Sequence, residues 1–303
     1  MDVAGLEWLR GQIAAGQSVS SDKVGKILKL CVEKSGTKRT QAFYLTACDA
    51  QKVREEALID FMLAQIVTYV LPRGEYHNAK ADDYRRIVNT ARDTFVKSTK
   101  SGEAGELLLY ILLESRGIVQ LYSKMNLKTS SKMHFHGFDA MHIQVGKNLV
   151  MHFGHAKTHA SLASGLAEVL DDIQRFNADR KHKGYELRLA SRHLDQVKFG
   201  EASEQILEIL DPYGGDKEFY EEANAVFLGS EWGFMAEKPP NGGKTLEEFL
   251  ISRYEENVGE VINKVEKSID ERNDIAGSNF LFLFLPISNI ERFRRMFMEE
   301  LIS

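Results

Sequence analysis

Asp139 lies sixteen residues before His155, and Lys157 follows two residues later, in the run FDAMHIQVGKNLVMHFGHAK. An acid on one strand, facing a strand that ends in x-Lys, is suited to holding a metal ion beside a phosphodiester. Cleaving that bond needs a metal to polarise the phosphate and activate water, and a cation near the developing charge. Strand periodicity puts His155 and Lys157 on one face, and Asp139, at the start of the preceding strand, can meet them across the sheet. Lys157 would then orient the nucleophilic water or stabilise the phosphorane charge. Glu103 and Glu106 are three apart on an expected helix and share a face, so either could supply an outer carboxylate. Singly these residues have ordinary readings: Asp139 opens a strand, and the two glutamates are helix N-terminal carboxylates favoured by the dipole. The signal lies in the ordered set.

A rival constellation is imidazole. Six of the nine histidines fall within 134–159, namely His134, His136, His142, His152, His155 and His159. Three imidazoles could make a hydrolytic zinc site with an open position. Against it, the His155 to His159 spacing lacks the Glu of HExxH, and His152 and His155 point to opposite faces of a strand.

The elements that must position these residues read as follows. Residues 1–36 suggest two short helices, with Ser20-Ser21-Asp22 as a cap before Val24, Ile27, Leu28 and Cys31. Residues 52–71 and 80–98 have helical apolar spacing, so the first hundred residues are expected to be a mainly helical region. GEAGELLLYILLES then predicts a helix packed on a sheet. Strands are expected at 118–122, 138–145 and 149–153, the last two joined by a turn at Gly146-Lys147-Asn148. A helix over 162–176 completes an α/β core. The remainder predicts a strand at 225–228, an amphipathic helix near 246–270, a buried strand at 280–285 and a final helix to Leu301. Pro239-Pro240-Asn241-Gly242-Gly243 reads as a loop. The expected division is 1–100 and 101–303.

Hydrophobic content of 43% and charged content of 27% are those of an ordinary globular protein. No apolar run approaches the roughly 18 to 20 residues of a membrane span, and the N-terminus lacks a secretory pattern. Two cysteines, Cys31 and Cys48, without metal-type spacing fit a reducing cytoplasm. The net charge of −5 argues against a general nucleic-acid coat. Its distribution fits either a confined polyanion site or a solvated surface that is simply basic. Arg116, Lys124, Lys128, Lys132, Lys147 and Lys157 share the 116–157 segment with one acid, Asp139. A second basic cluster comprises Arg175, Arg180, Lys181, Lys183, Arg188 and Arg192.

The combination of GEAGELLLYILLES, SKMNLKTSSKMHFHGFDAMHI, LVMHFGHAKTH and the late FLFLFLPI resembles the HamA family over roughly residues 76–290. HamA proteins are the nuclease subunits of two-gene Hachiman antiphage defence systems, paired with a helicase, HamB. The resemblance implies a PD-(D/E)xK enzyme with a restriction-endonuclease-like mixed sheet flanked by helices, Mg2+ or Mn2+ as cofactor, DNA as substrate and a helicase partner. Asp139 matches the strand aspartate, Lys157 the motif lysine and Glu106 the helix glutamate, with Glu103 its close competitor. Lys124, Lys128, Lys132 and His136 are the expected DNA contacts. Position 155 would hold Glu in the family and holds His here. Loss of that carboxylate should lower magnesium affinity, while manganese tolerates imidazole. The alternative expectation is a catalytically inactive DNA-binding or helicase-docking subunit.

Overall fold

The computed structural model describes residues 3–50, 52–123, 125, 138–211, 220–239 and 244–303. One seven-stranded mixed sheet runs through the molecule, flanked by helices on both faces. Its strands are β1 (Leu28–Ser35), β2 (Arg39–Thr46), β3 (Val119–Tyr122), β4 (Ala140–Val145), β5 (Leu149–His159), β6 (Tyr220–Glu231) and β7 (Asn279–Ile287), in the spatial order β1-β2-β7-β6-β5-β4-β3. The middle of the sheet is parallel, β2 with β7, β7 with β6 and β6 with β5. Antiparallel pairs close both sides, β1 with β2 and β5–β4–β3.

Parallel strands covered on both faces read as near-continuous apolar runs, and β7 (NFLFLFLPI) is such a run. Its period of two divides the side chains. Phe280, Phe282 and Phe284 stack along one face at centroid spacings of 5.4 and 5.9 Å, while Leu281, Leu283 and Leu285 enter the opposite core. The leucine face is covered by α3 (Glu55–Leu63), α4 (Ile66–Val70), α6 (Ala81–Asp93), α7 (Glu103–Ser115) and α13 (Ile290–Ile302). The expected α7 is apolar almost all round, and a helix of that kind must be buried. It lies under α3 and α4 against the sheet, with every residue from Leu107 to Glu114 buried.

The phenylalanine face carries α8 (Leu162–Ala178) and α12 (Leu246–Asp270). The expected α12 is held at its start by a reciprocal Thr245–Glu248 capping box. Beyond the β5 side, the same face is closed by α1 (Val3–Gly16), α9 (Arg180–His193), α10 (Gln196–Phe199) and α11 (Ser203–Leu210). The short α2 (Ser21–Gly25) and α5 (Arg73–Tyr76) complete the set. No helix among the described residues is long and apolar enough to cross a membrane.

Three expectations change. The helix read through Val24 to Cys31 stops at Gly25, and residues from Leu28 begin the β1–β2 hairpin on the edge of the sheet. The spacing of Val24, Ile27 and Leu28 mimicked a helix face, but the strand-forming β2, buried over Gln41–Thr46, supplies a ladder that overrides it. The helix expected over 52–71 is broken into α3 and α4 at Ala64-Gln65. The strands at 149–153 and 225–228 are much longer, as β5 and β6. Of the expected loop at Pro239–Gly243, all but Pro239 lies outside the described residues.

Candidate active site

The site grows from a mismatch in strand length. The β4–β5 ladder begins at Ala140, opposite Gly154, but β5 runs five residues further, accompanied by β6 as far as the His159–Ser230 pair. Residues 155–159 therefore lack a β4 neighbour on that side, leaving a notch. Asp139 fills its corner. Its N–H donates to the Gly154 carbonyl at 2.7 Å, and its Oδ2 accepts the Ala156 N–H at 2.8 Å, taking the place of the missing ladder partner. These two bonds hold Asp139 beside His155, whose immediate neighbours in β5 are Gly154 and Ala156.

Close packing brings the other side of the notch in. A Cβ on Gly105 would stand 3.2 Å from Thr158 Cγ2, so the first turn of α7 lies hard against β5. Gly154 is tighter still: a Cβ there would meet Leu109 Cδ2 at 2.9 Å and Ala140 Cβ at 3.0 Å. With α7 so close, Glu106 reaches the notch from the far face of the sheet. The result is an open cleft of about 690 Å³ lined by Glu106, Asp139, His155 and Lys157, with Glu168, Asp172 and Arg175 from α8 and Arg294 from α13. Four residues separated by up to 51 positions in sequence, Glu106 to Lys157, thus share one cleft.

The charges within it are tied together. The Lys157 ammonium is 2.7 Å from Glu168 Oε1 and 2.8 Å from Asp172 Oδ2. Burial pulls the Lys157 pKa down, but these two carboxylates outweigh it, and the net shift is upward. Burial likewise raises Asp172, and the bonds to Lys157 and Arg175 more than reverse it, so its carboxyl titrates below the ordinary range. His159 Nε2 lies 3.6 Å from Glu168. Behind the cleft, the Tyr69 hydroxyl donates to Glu106 Oε2 at 3.3 Å. Burial first, then the charges of Glu106, Glu103 and Asp139, drives the Tyr69 pKa well above its ordinary value, so it remains a donor. Arg294 donates to both the Thr158 carbonyl, at 2.7 Å, and its hydroxyl, at 2.8 Å.

Glu103 does not join the cleft. It is buried, and its carboxylate accepts the Val96 N–H at 2.6 Å, clasping the chain before α7. Helix spacing put Glu103 and Glu106 on one face, but burial of the first turn assigned them different neighbours. Lys124, Lys128, Lys132 and His136 lie outside the described residues, as does His134. His142 and His152 pair across β4 and β5 on the α7 side, whereas His155 faces Phe176 on the α8 side. The sheet itself thus separates His155 from the His142–His152 pair. Tyr69, Glu168, Asp172 and Arg294 escaped the sequence reading. Only Arg175, three residues after Asp172 on a helix and within a basic cluster, carried a sequence signal nearby.

Glu106 and Asp139 provide hard oxygen donors of the kind magnesium prefers, and His155 an imidazole that manganese accepts. Among the described residues no three His, Cys, Asp or Glu side chains form a group that could hold a metal ion. The cleft also holds cations suited to phosphate: Lys157, Arg175 and Arg294.

The HamA family model matches residues 23–301, nearly the whole chain. No curated protein matches it.

Proposed function

The chain belongs to the HamA family, which is consistent with an antiphage defence protein, and we propose that it is a metal-dependent DNA nuclease-like effector of PD-(D/E)xK type acting with a helicase partner in the cytoplasm. The mixed sheet, flanked by helices, is compatible with the restriction-endonuclease-like fold that this reading requires. The observation that carries it is the shared cleft of Glu106, Asp139, His155 and Lys157, with Asp139 hydrogen-bonded to the residues on either side of His155, Gly154 and Ala156. Among the described residues, Glu106, Asp139 and His155 do not form a metal group by themselves. Glu106 and Asp139 would hold a magnesium or manganese ion only with oxygens of the bound phosphate and water, and the ion would polarise the phosphate and activate water. Lys157 would contribute positive charge near the phosphoryl oxygens, and Arg175 and Arg294 would help hold the backbone. Tyr69 keeps the Glu106 carboxylate oriented from behind.

A second reading has its own observation. Lys157 is already engaged by two carboxylates of α8, and position 155 has lost a charged oxygen donor. Both features favour a subunit that binds DNA or docks the helicase without cutting. Plasmid degradation separates the two readings, using this chain and His155→Glu, with magnesium or manganese, alone and with the co-expressed helicase. The nuclease reading expects cutting in manganese by the unaltered chain and improved cutting in magnesium by His155→Glu. Absence of products from both proteins with the partner present would establish the binding subunit instead.

A further inference from the structure

Resting on the reading of the cleft as a DNA site, we propose that the exposed face of α9 is a track for a single DNA strand leading away from the cleft. Lys181, Tyr185, Arg188 and Arg192 recur at helical spacing and fall on one side of α9. Lys181 and Arg192 are exposed, and the Tyr185 ring stands 49% exposed between them. The opposite side, with Leu187 and Ala190, is buried in the core against β3 and β4, as is Leu194 just past the helix. Glu186, the one acid of α9, is also buried and receives the Tyr122 hydroxyl at 3.5 Å. The outward face therefore gains no negative charge from its own helix, although the chain as a whole carries −5.

Cations flanking an outward aromatic ring are what an unpaired strand requires. The cations follow phosphates, and every base offers a face on which the ring can stack. Duplex bases are already stacked on one another, so a ring on a helix surface has no such partner there. The track is continuous with the cleft. Arg175 and Asp179 both line the cleft, the Arg175 side chain is 75% exposed, and α9 begins at the residue after Asp179. Over its fourteen residues α9 extends the positive surface by roughly 20 Å.

Fluorescence anisotropy of a labelled oligothymidylate and a labelled duplex, titrated with the full chain in metal-free buffer, tests this without any cleavage. Tyr185→Ala should weaken single-strand binding about tenfold or more and duplex binding far less, with Tyr185→Phe restoring it. Lys181→Gln with Arg192→Gln should reduce the salt slope by about 1.4, at roughly 0.7 per neutralised phosphate. Melting temperatures equal to the parent's would verify that the variants fold. Single-strand binding unchanged in all variants would overturn the track while leaving the cleft reading intact. Binding of duplex alone, or of neither DNA, by the unaltered chain would also overturn it.

Discussion

Lys157 and Asp172 form a 2.8 Å ion pair that ties the C-terminal end of β5 to α8. Removing the lysine should leave the fold standing, because its side chain is at the cleft and not in the core. Lys157→Ala is expected to reduce manganese-dependent cutting by about a hundredfold or more, with the fold retained and the melting temperature lowered only by the loss of the Glu168 and Asp172 contacts. The pair also fixes a pH dependence. The raised Lys157 pKa adds stability that is full below 10.5 and is lost as pH rises through the folded value. The depressed Asp172 pKa adds stability present above 3.8 that is lost as pH falls through its own folded value. Asp172→Asn should therefore flatten both flanks of a melting-temperature profile against pH.

Gly154 is where α7, β4 and β5 come closest. A methyl group there must displace Leu109 Cδ2 at 2.9 Å and the Ala140 backbone oxygen at 3.2 Å. Gly154→Ala should cost about 1–3 kcal/mol of stability, read from urea unfolding. Because Asp139 hangs from the Gly154 carbonyl, activity should fall in the same variant.

His142 and His152 face one another across β4 and β5, buried, and among the described residues neither ring nitrogen of either has a hydrogen-bond partner. Burial depresses both, His152 to about 4. The unfolded chain takes up a proton near 6.5 while folded His152 does not until about 4, so stability declines as pH falls across that window. The slope for one such group is about 1.4 kcal/mol per pH unit. His152→Leu should make unfolding between pH 6.5 and 4 measurably less pH-dependent.

Legibility in the sequence followed how local the determinants were. α12 was readable to the residue, since its capping box and its apolar series from Leu246 to Ile269 are all within one segment. β5 was read too short because His155 and Lys157 interrupt its apolar run, although those are the residues that line the site. The β1–β2 hairpin was missed because an edge strand with exposed Leu30 has no clean alternation of its own. α9, α10 and α11 went unread, for their burial depends on β3, β4 and α1. Within the site, strand period and order were enough to suggest Asp139, His155 and Lys157 together. They could not suggest Asp172, Arg294 or Tyr69, each delivered by a different helix. Nor could they separate Glu103 from Glu106, which only the close approach of α7 decides.

Asp139, seated in the notch beyond β4, is proposed to make the cleft a metal-dependent phosphodiester site. Asp139→Asn tests it most directly, because the amide oxygen can still accept the Ala156 N–H while the charge needed for a metal ion is gone. The measurement is plasmid cleavage in manganese by the parent chain and by Asp139→Asn, each with the helicase partner. Products are expected from the parent and essentially none from the variant, at matching melting temperatures. Cleavage by Asp139→Asn at the parent's rate would contradict it.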